Sequence, residues 1–177
     1  MDEIISEIEK IASDTQSTFG KLSNRQINFK PSAESWSIGQ CFDHLIKTDS
    51  LFFSELDKIA EGTRKNSFIE TWSPLSSIWG NMLISSLKKD ERKFKAPSKL
   101  IIPPSEIDAD TIEKYTQHLV KLIKKIKQTE TADWRKVVMT SPFMSLMTYK
   151  LGDGYQIIVE HNKRHFRQAE RVLEMQN

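Results

Sequence analysis

A chain of 177 residues is long enough for one domain with a substantial core and short for two, so a single domain covering residues 1–177 is expected. Its 26 Lys and Arg residues nearly balance 24 Asp and Glu residues, and the resulting net charge of +2 gives no support for binding to nucleic acid. No apolar run approaches the roughly 18 residues of a transmembrane helix, and the start of the chain is acidic where a signal peptide would be basic, so a cytoplasmic location without a membrane partner is the default expectation.

The first half of the chain predicts two long amphipathic helices. Apolar residues recur at intervals of three or four through Asp2–Leu22, which indicates the first. Ser37 and Gln40 match a capping box, in which each side chain accepts a hydrogen bond from the backbone N–H of the other. A second helix is therefore expected over about Ile38–Glu61, with Gly62 as its C-terminal stop.

In the middle of the chain the spacing of apolar residues is less regular. Thr71–Pro74 has the composition of a helix N-terminus, and the apolar residues of Leu75–Leu87 predict an amphipathic helix of about four turns. The following segment, residues 92–104, carries three prolines and is expected to be extended. Such a segment either crosses one end of the bundle or covers a cleft as a lid, and a simple connection is the preferred interpretation.

The last third predicts two more long helices. One is expected over Ser105–Gln128. Residues Leu151–Gly154 lie at the entry to the other, where two glycines lower the local helix propensity and permit close packing. The connection Thr131–Lys150 is irregular, with a short extended piece at Val137–Met139 and a partly buried stretch through Met144, Leu146 and Met147. Because no segment shows convincing strand alternation, the sequence predicts an all-α fold: a four-helix bundle with an additional shorter helix and long connections.

Three of the four histidines occupy matching positions on two predicted helices. His161 and His165 are four residues apart, which places both imidazoles on one helix face and close enough to share a cation. Both lie at the shoulder of the apolar stripe, with His165 nearer the core, and His44 lies at the shoulder of the second helix. The same spacing also fits two surface or half-buried histidines. The fourth, His118, lies well off the centre of its stripe, where a packed or solvated role is expected.

The single cysteine limits the residue types that could bind a metal ion. Cys41 excludes an intrachain disulfide framework and a Cys-rich zinc module, which leaves histidine and carboxylate as metal ligands. Its angular position lies inside the apolar stripe of the second helix. We therefore expect it to be a small buried hydrophobe. The tryptophans are likewise expected to pack rather than to recognise a ligand.

Three elements occur in order over nearly the whole chain and resemble one family. They are a Trp-Ser element with a histidine eight positions after the tryptophan (Trp36 to His44), the segment Phe94–Pro97 with Pro103-Pro104 beyond it, and the H-x-x-x-H-x-x-Q element of His161–Gln168. Together they resemble the DinB-like superfamily of proposed metalloenzymes. The resemblance implies a four-helix bundle that is commonly dimeric.

The resemblance also implies a metal site. In the family a divalent metal ion is held by three histidines, one from the second helix and two from the last, which here are His44, His161 and His165. Zinc or nickel suits three imidazoles, and such a ligand set leaves an open position at the metal. Gln168, one turn past His165, is then expected to orient a ligand or a bound water.

Characterised relatives indicate a class of reaction. They include thiol S-transferases that use bacillithiol, mycothiol or glutathione, and a thiol-dependent maleylpyruvate isomerase. The implied function is a metal-dependent transferase or hydrolase acting on a small electrophilic molecule, with a low-molecular-weight thiol as a co-substrate. The alternative is a non-catalytic bundle dimer that the metal, or histidine packing alone, stabilises. A metalloprotease is disfavoured, because Asn162 stands where H-E-x-x-H requires glutamate.

Overall fold

The computed structural model describes residues 1–65, 70, 76–89 and 99–176 of the chain. These residues form six α-helices and one pair of strands. In chain order the elements are α1 (Asp2–Phe19), α2 (Asn24–Asn28), α3 (Ile38–Ala60), α4 (Ser76–Lys88), a short 3₁₀ helix (Lys99–Ile101), α5 (Thr111–Gln128), β1 (Val138–Thr140), β2 (Thr148–Lys150) and α6 (Leu151–Glu174).

The four long helices form a bundle. Helices α1 and α3 each pack against both α5 and α6, which places α1 diagonally opposite α3. Helix α4 lies outside the bundle, against α6 and β2. The predicted all-α class is confirmed, with one small antiparallel sheet added. Among the described residues, the largest side chains that are completely buried are Tyr115, Tyr149, Phe19 and Phe42.

Both ends of α3 follow the sequence prediction. At its start Ser37 Oγ accepts from the Gln40 N–H at 3.2 Å, and Gln40 Oε1 accepts from the Ser37 N–H at 3.1 Å. At its end Gly62 has a φ of 66°, its N–H donates to Ile59, and the next N–H donates to the Lys58 carbonyl. This pair of bonds is a Schellman motif, which only a residue tolerant of positive φ accommodates without strain.

Two helix boundaries differ from the prediction. Helix α1 ends at Phe19 rather than Leu22, and the polar connection after it contains α2, which Ser23 and Gln26 cap with a second capping box. Helix α5 begins at Thr111 instead of Ser105. The reason is a tertiary contact, because the Asn28 side chain donates to the Ile107 carbonyl and accepts from the Ile107 N–H, both at 2.8 Å. A peptide bound in this way is not available for a helical hydrogen bond.

The connection before α6 folds back on itself as a hairpin. Met139 pairs with Tyr149 in the antiparallel register of β1 and β2, and both side chains are buried. The extended piece near Val138 was predicted, whereas its partner strand β2 was not. Met147 is buried as expected, but Met144 and Leu146 are exposed at 52% and 78%, which contradicts the predicted partly buried stretch.

Helix α4 is present where a shorter helix was predicted, but it is less buried than its pattern indicated. Leu87 is buried, whereas Ile78 and Met82 are 60% and 50% exposed. The helix contacts α6 closely on another side, where a Cβ added to Gly80 would lie 2.6 Å from Asp153. The predicted N-terminus of this helix at residues 71–75 and the motif segment at residues 94–97 lie outside the described residues.

Candidate metal centre

Three histidines converge between α3 and α6. One potential ligand nitrogen from each of His44, His161 and His165 lies within 4.8 Å of the others. The ring centroids are separated by 4.7 to 5.2 Å, and the Nε2 atoms of His161 and His165 are 3.2 Å apart. The last pair meets because residues four apart are neighbours on a helix face. The shoulder positions expected from the sequence therefore face one another across the α3–α6 contact.

Hydrogen bonds fix which nitrogen of two rings carries the proton. Nδ1 of His44 lies 2.8 Å from the carbonyl oxygen of Ile101, and Nδ1 of His165 lies 3.0 Å from Oε1 of Gln168. Both partners are oxygen acceptors, so each Nδ1 carries a hydrogen and donates. The neutral rings then keep the lone pair on Nε2, the tautomer in which outer partners usually hold metal-binding histidines.

The surroundings keep all three imidazoles neutral. Burial, together with the positive charges of His44 and Arg164, lowers the pKa of His161 to about 3. Burial also holds the pKa of His165 well below its ordinary value, with His161, His44 and Arg164 acting in the same direction. The pKa of His44 is lowered mainly by burial as well. Neutral imidazole is the form that binds a metal ion, so the site favours cations other than the proton.

The spacing of the two α6 histidines fits a metal ion. Zinc binds imidazole nitrogen at about 2.0–2.1 Å, so two nitrogens at a tetrahedral angle are about 3.3 Å apart. The observed 3.2 Å between the Nε2 atoms of His161 and His165 matches this separation. Within the described residues the cluster contains no carboxylate, so its three neutral ligands would leave the full charge on the ion.

One aromatic residue forms a wall of the cluster. The ring of Trp36 stacks against His165 at 5.6 Å between centroids and lies at 4.8 Å, tilted, from His44. Trp36 therefore packs on two of the three imidazoles, as expected of a packing tryptophan. The contact holds both rings in place and excludes water from that side.

Of the remaining sequence candidates, the structure places one against the cluster and two outside it. Gln168 lies beside His165 and contacts its imidazole ring, whereas the sequence suggested contact with a bound ligand or water. His118 is buried, stacks on Phe53 at 5.2 Å, and lies outside the cluster, in the packed role that was one of its two alternatives. Cys41 is fully buried, and burial raises the pKa of its thiol to about 12, which confirms it as a small hydrophobe.

Asn162 also has a defined place, away from the cluster. Its side chain is 1% exposed, and its amide donates to both carboxylate oxygens of Asp49 inside the bundle. The residue at the position of the metalloprotease glutamate therefore points into the core. This agrees with the argument against protease chemistry.

Sequence reasoning missed one contributor to the cluster, the carbonyl group of Ile101. A backbone acceptor has no side-chain signature, and it lies 57 residues from His44 along the chain. The prolines at 103 and 104 predicted an extended segment there, but residues 99–101 of that segment form a short 3₁₀ helix that ends at Ile101.

A four-helix bundle with a three-histidine cluster between its second and last long helices is the class of protein that these features define. Comparison with protein families matches residues 7–169 to the DinB superfamily. The match extends over most of the chain, and the protein belongs to the DinB superfamily, as the motifs predicted. A search of curated proteins and a search of solved structures each found no match. None of the helices in the described ranges combines the length and apolar character needed to cross a membrane.

Proposed function

We propose that the protein is a divalent-metal-dependent enzyme in which His44, His161 and His165 hold a zinc or nickel ion. The observation that supports this is the convergence of three neutral imidazoles whose ligand nitrogens lie within 4.8 Å of one another. Membership in the DinB superfamily adds a second, independent line of support. The reaction we propose is transfer of a low-molecular-weight thiol to a small electrophilic molecule, or hydrolysis of such a molecule.

The protein's own residues prepare the site. Ile101 and Gln168 hold the hydrogens of His44 and His165 on Nδ1 and so direct Nε2 of each ring toward the cluster. Trp36 packs against one side of the cluster, and His161 is half-buried. When bound, the metal would lower the pKa of a coordinated thiol or water toward neutrality.

The proposed S-transfer balances without a redox partner. The thiol sulfur forms a bond to the electrophilic carbon, the leaving group departs with its bonding electrons, and the thiol proton passes to water. Hydrolysis follows the same scheme with water as the nucleophile. Both fit a cluster that carries no carboxylate base within the described residues.

Metal content tests the ligand set. Purified wild type should contain about one zinc or nickel ion per chain, measured by mass spectrometry of the metal. His44→Ala, His161→Ala and His165→Ala should each lose it. His118→Asn is the matched control, because it removes the histidine that lies outside the cluster. Unchanged metal content in the three alanine variants would refute the ligand set.

Turnover tests the reaction. Metal-loaded protein should consume bacillithiol, mycothiol or glutathione together with an aryl halide, and chelation should stop the reaction. Stoichiometric metal without turnover of any thiol or ester would instead support the non-catalytic bundle. Light scattering tests the proposed homodimer, which has twice the 20.5 kDa mass of one chain.

A further inference from the structure

One segment beside the cluster docks onto α3 through its backbone carbonyls. We call residues 101–104 the strap. The Pro104 carbonyl accepts from Nε2 of Gln40 at 2.7 Å, and the Ile101 carbonyl accepts from Nδ1 of His44 at 2.8 Å. Since Gln40 and His44 are four residues apart, both donors lie on one face of α3.

A third contact lies farther along the same face but is weaker. The Ile102 carbonyl accepts from Lys47 at 3.3 Å, and Lys47 also pairs with Asp43 at 2.7 Å. Its side chain is 33% exposed, whereas Gln40 is 4% exposed. A hydrogen bond that is shielded from water costs more to break than an exposed one. Gln40 is therefore the main side-chain anchor among these contacts.

The strap is stiff enough that the hydrogen bond at Pro104 restricts the position of the carbonyl that contacts His44. Its last two residues are Pro103 and Pro104, whose rings fix φ and which carry no N–H. Ile101, at the other end, is 2% exposed and packs into the protein. A bond at Pro104 therefore fixes the position of a carbonyl only three residues away.

The side-chain amide of Gln40 also makes a second hydrogen bond, at the start of α3. Its Oε1 accepts the Ser37 N–H in the capping box while its Nε2 donates to Pro104. One buried side chain thus joins the start of α3 to the strap. The capping box alone requires only the oxygen, so the nitrogen contact is additional to the helix cap.

We propose that Gln40 is a positioning residue for the three-histidine cluster. Through the strap it holds the Ile101 carbonyl against Nδ1 of His44, which keeps the hydrogen on Nδ1 and Nε2 free to bind metal. The effect on metal binding rests on the proposed function. The effect on the His44 tautomer does not.

Two variants separate the strap contact from the helix cap. Gln40→Met keeps the length of the side chain and removes both the donor to Pro104 and the cap acceptor. Ser37→Ala removes the other half of the capping box and leaves the donor in place. Gln40→Glu serves if Gln40→Met does not fold, because its ionised carboxylate can still cap the helix but cannot donate to Pro104.

The tautomer of His44 is measured by ¹⁵N NMR in metal-free protein, and zinc affinity is measured by competition with a chelator. Wild type and Ser37→Ala should keep the hydrogen on Nδ1. Gln40→Met should populate the Nε2–H form and bind zinc about 10- to 100-fold more weakly, the range found when partners of ligand histidines are removed.

The outcomes distinguish the two proposals. If Gln40→Met keeps both the wild-type tautomer and the wild-type zinc affinity, or if Ser37→Ala loses as much affinity, the role of Gln40 is overturned. If the tautomer changes in Gln40→Met but wild type binds no zinc or nickel, the positioning contact stands and the proposed metal-dependent function fails.

Discussion

The side-chain amide of Asn162 donates to both carboxylate oxygens of Asp49, at 3.0 and 3.3 Å, across the contact between α6 and α3. Tyr115 on α5 donates its hydroxyl to Oδ1 of Asn162 at 2.5 Å. All three side chains are at most 1% exposed. One buried polar network therefore joins three helices of the bundle.

We expect Asn162→Ala to lower the free energy of unfolding by about 2–4 kcal/mol. The change leaves the carboxyl of Asp49 and the hydroxyl of Tyr115 without this partner, and each buried group that loses its hydrogen bond costs about 1–3 kcal/mol. Urea unfolding measures the effect. Asn81→Ala, at an exposed position on α4, is the control and should change stability by less than about 0.5 kcal/mol. Equal effects of the two substitutions would contradict the network.

Asp49 should make stability depend on pH. Burial raises its pKa from 3.8 to about 7, against the lowering effect of the Asn162 hydrogen bond. Because the folded state binds this proton more tightly, the contribution of Asp49 to stability is complete below about pH 4 and is lost as pH rises through 7. The stability of Asp49→Asn minus that of wild type should therefore increase by roughly 2 kcal/mol between pH 5 and pH 8.

The contribution of Asp49 is measured by the difference in the free energy of unfolding between Asp49→Asn and the protein that retains Asp49, because a second buried group also titrates in this pH range. Burial lowers the pKa of His118 to about 4, so the folded state favours the neutral imidazole. The contribution of His118 to the free energy of unfolding is therefore complete above pH 6.5 and is lost as pH falls from 6.5 toward 4, opposite to the trend of Asp49. Nε2 of His118 lies 3.9 Å from Oδ2 of Asp49, so the two proteins are compared in a His118→Asn background, which removes this opposing effect. Urea unfolding at pH 5, 6, 7 and 8 provides the curves. Parallel curves would show that Asp49 does not retain its proton in the fold.

Gln168 should act through His165. Gln168→Met keeps the size of the side chain but removes the acceptor of the Nδ1 hydrogen, so zinc affinity should fall about 10-fold or more. Gln168→Glu should keep or raise the affinity, because a carboxylate accepts the same hydrogen and increases the basicity of the imidazole. Competition with a chelator measures both. A loss of affinity in the glutamate variant equal to that in the methionine variant would contradict this role.

Metal binding should stabilise the folded protein. A ligand that binds only the folded state at 100 times its Kd adds about 2.7 kcal/mol to the free energy of unfolding. Wild type should therefore melt at a higher temperature with zinc than with a chelator, and His165→Ala should show no such difference. His118→Asn should retain it. A zinc effect that persists in His165→Ala would place the ion elsewhere.

Gly152 should tolerate no larger side chain while Trp134 is present. Alanine normally stabilises a helix by about 1 kcal/mol relative to glycine, but a Cβ at Gly152 would lie 2.4 Å from the indole ring of Trp134. We expect Gly152→Ala to destabilise by about 1–3 kcal/mol. In a Trp134→Ala background the same change should be neutral or stabilising. Thermal unfolding of the four proteins in this cycle measures the coupling.

The sequence by itself determined the long helices, both ends of α3 and the pairing of His161 with His165. These features depend on residues three or four positions apart, whose contacts within one helix are independent of the rest of the fold. The capping box of Ser37 and Gln40, the glycine stop at Gly62 and the His161–His165 pair are all of this kind. The pairing of His44 with them required the family motifs as well.

Only the tertiary structure decided what surrounds these groups. The Ile101 carbonyl lies 57 residues from His44 in sequence, and Asp49 lies 113 residues from Asn162. The late start of α5 depends on Asn28, which lies 79 residues before Ile107. Such contacts have no local pattern, because the partner is selected by the packing of whole helices. The sequence therefore predicted which histidines meet, and the fold decided how they are held.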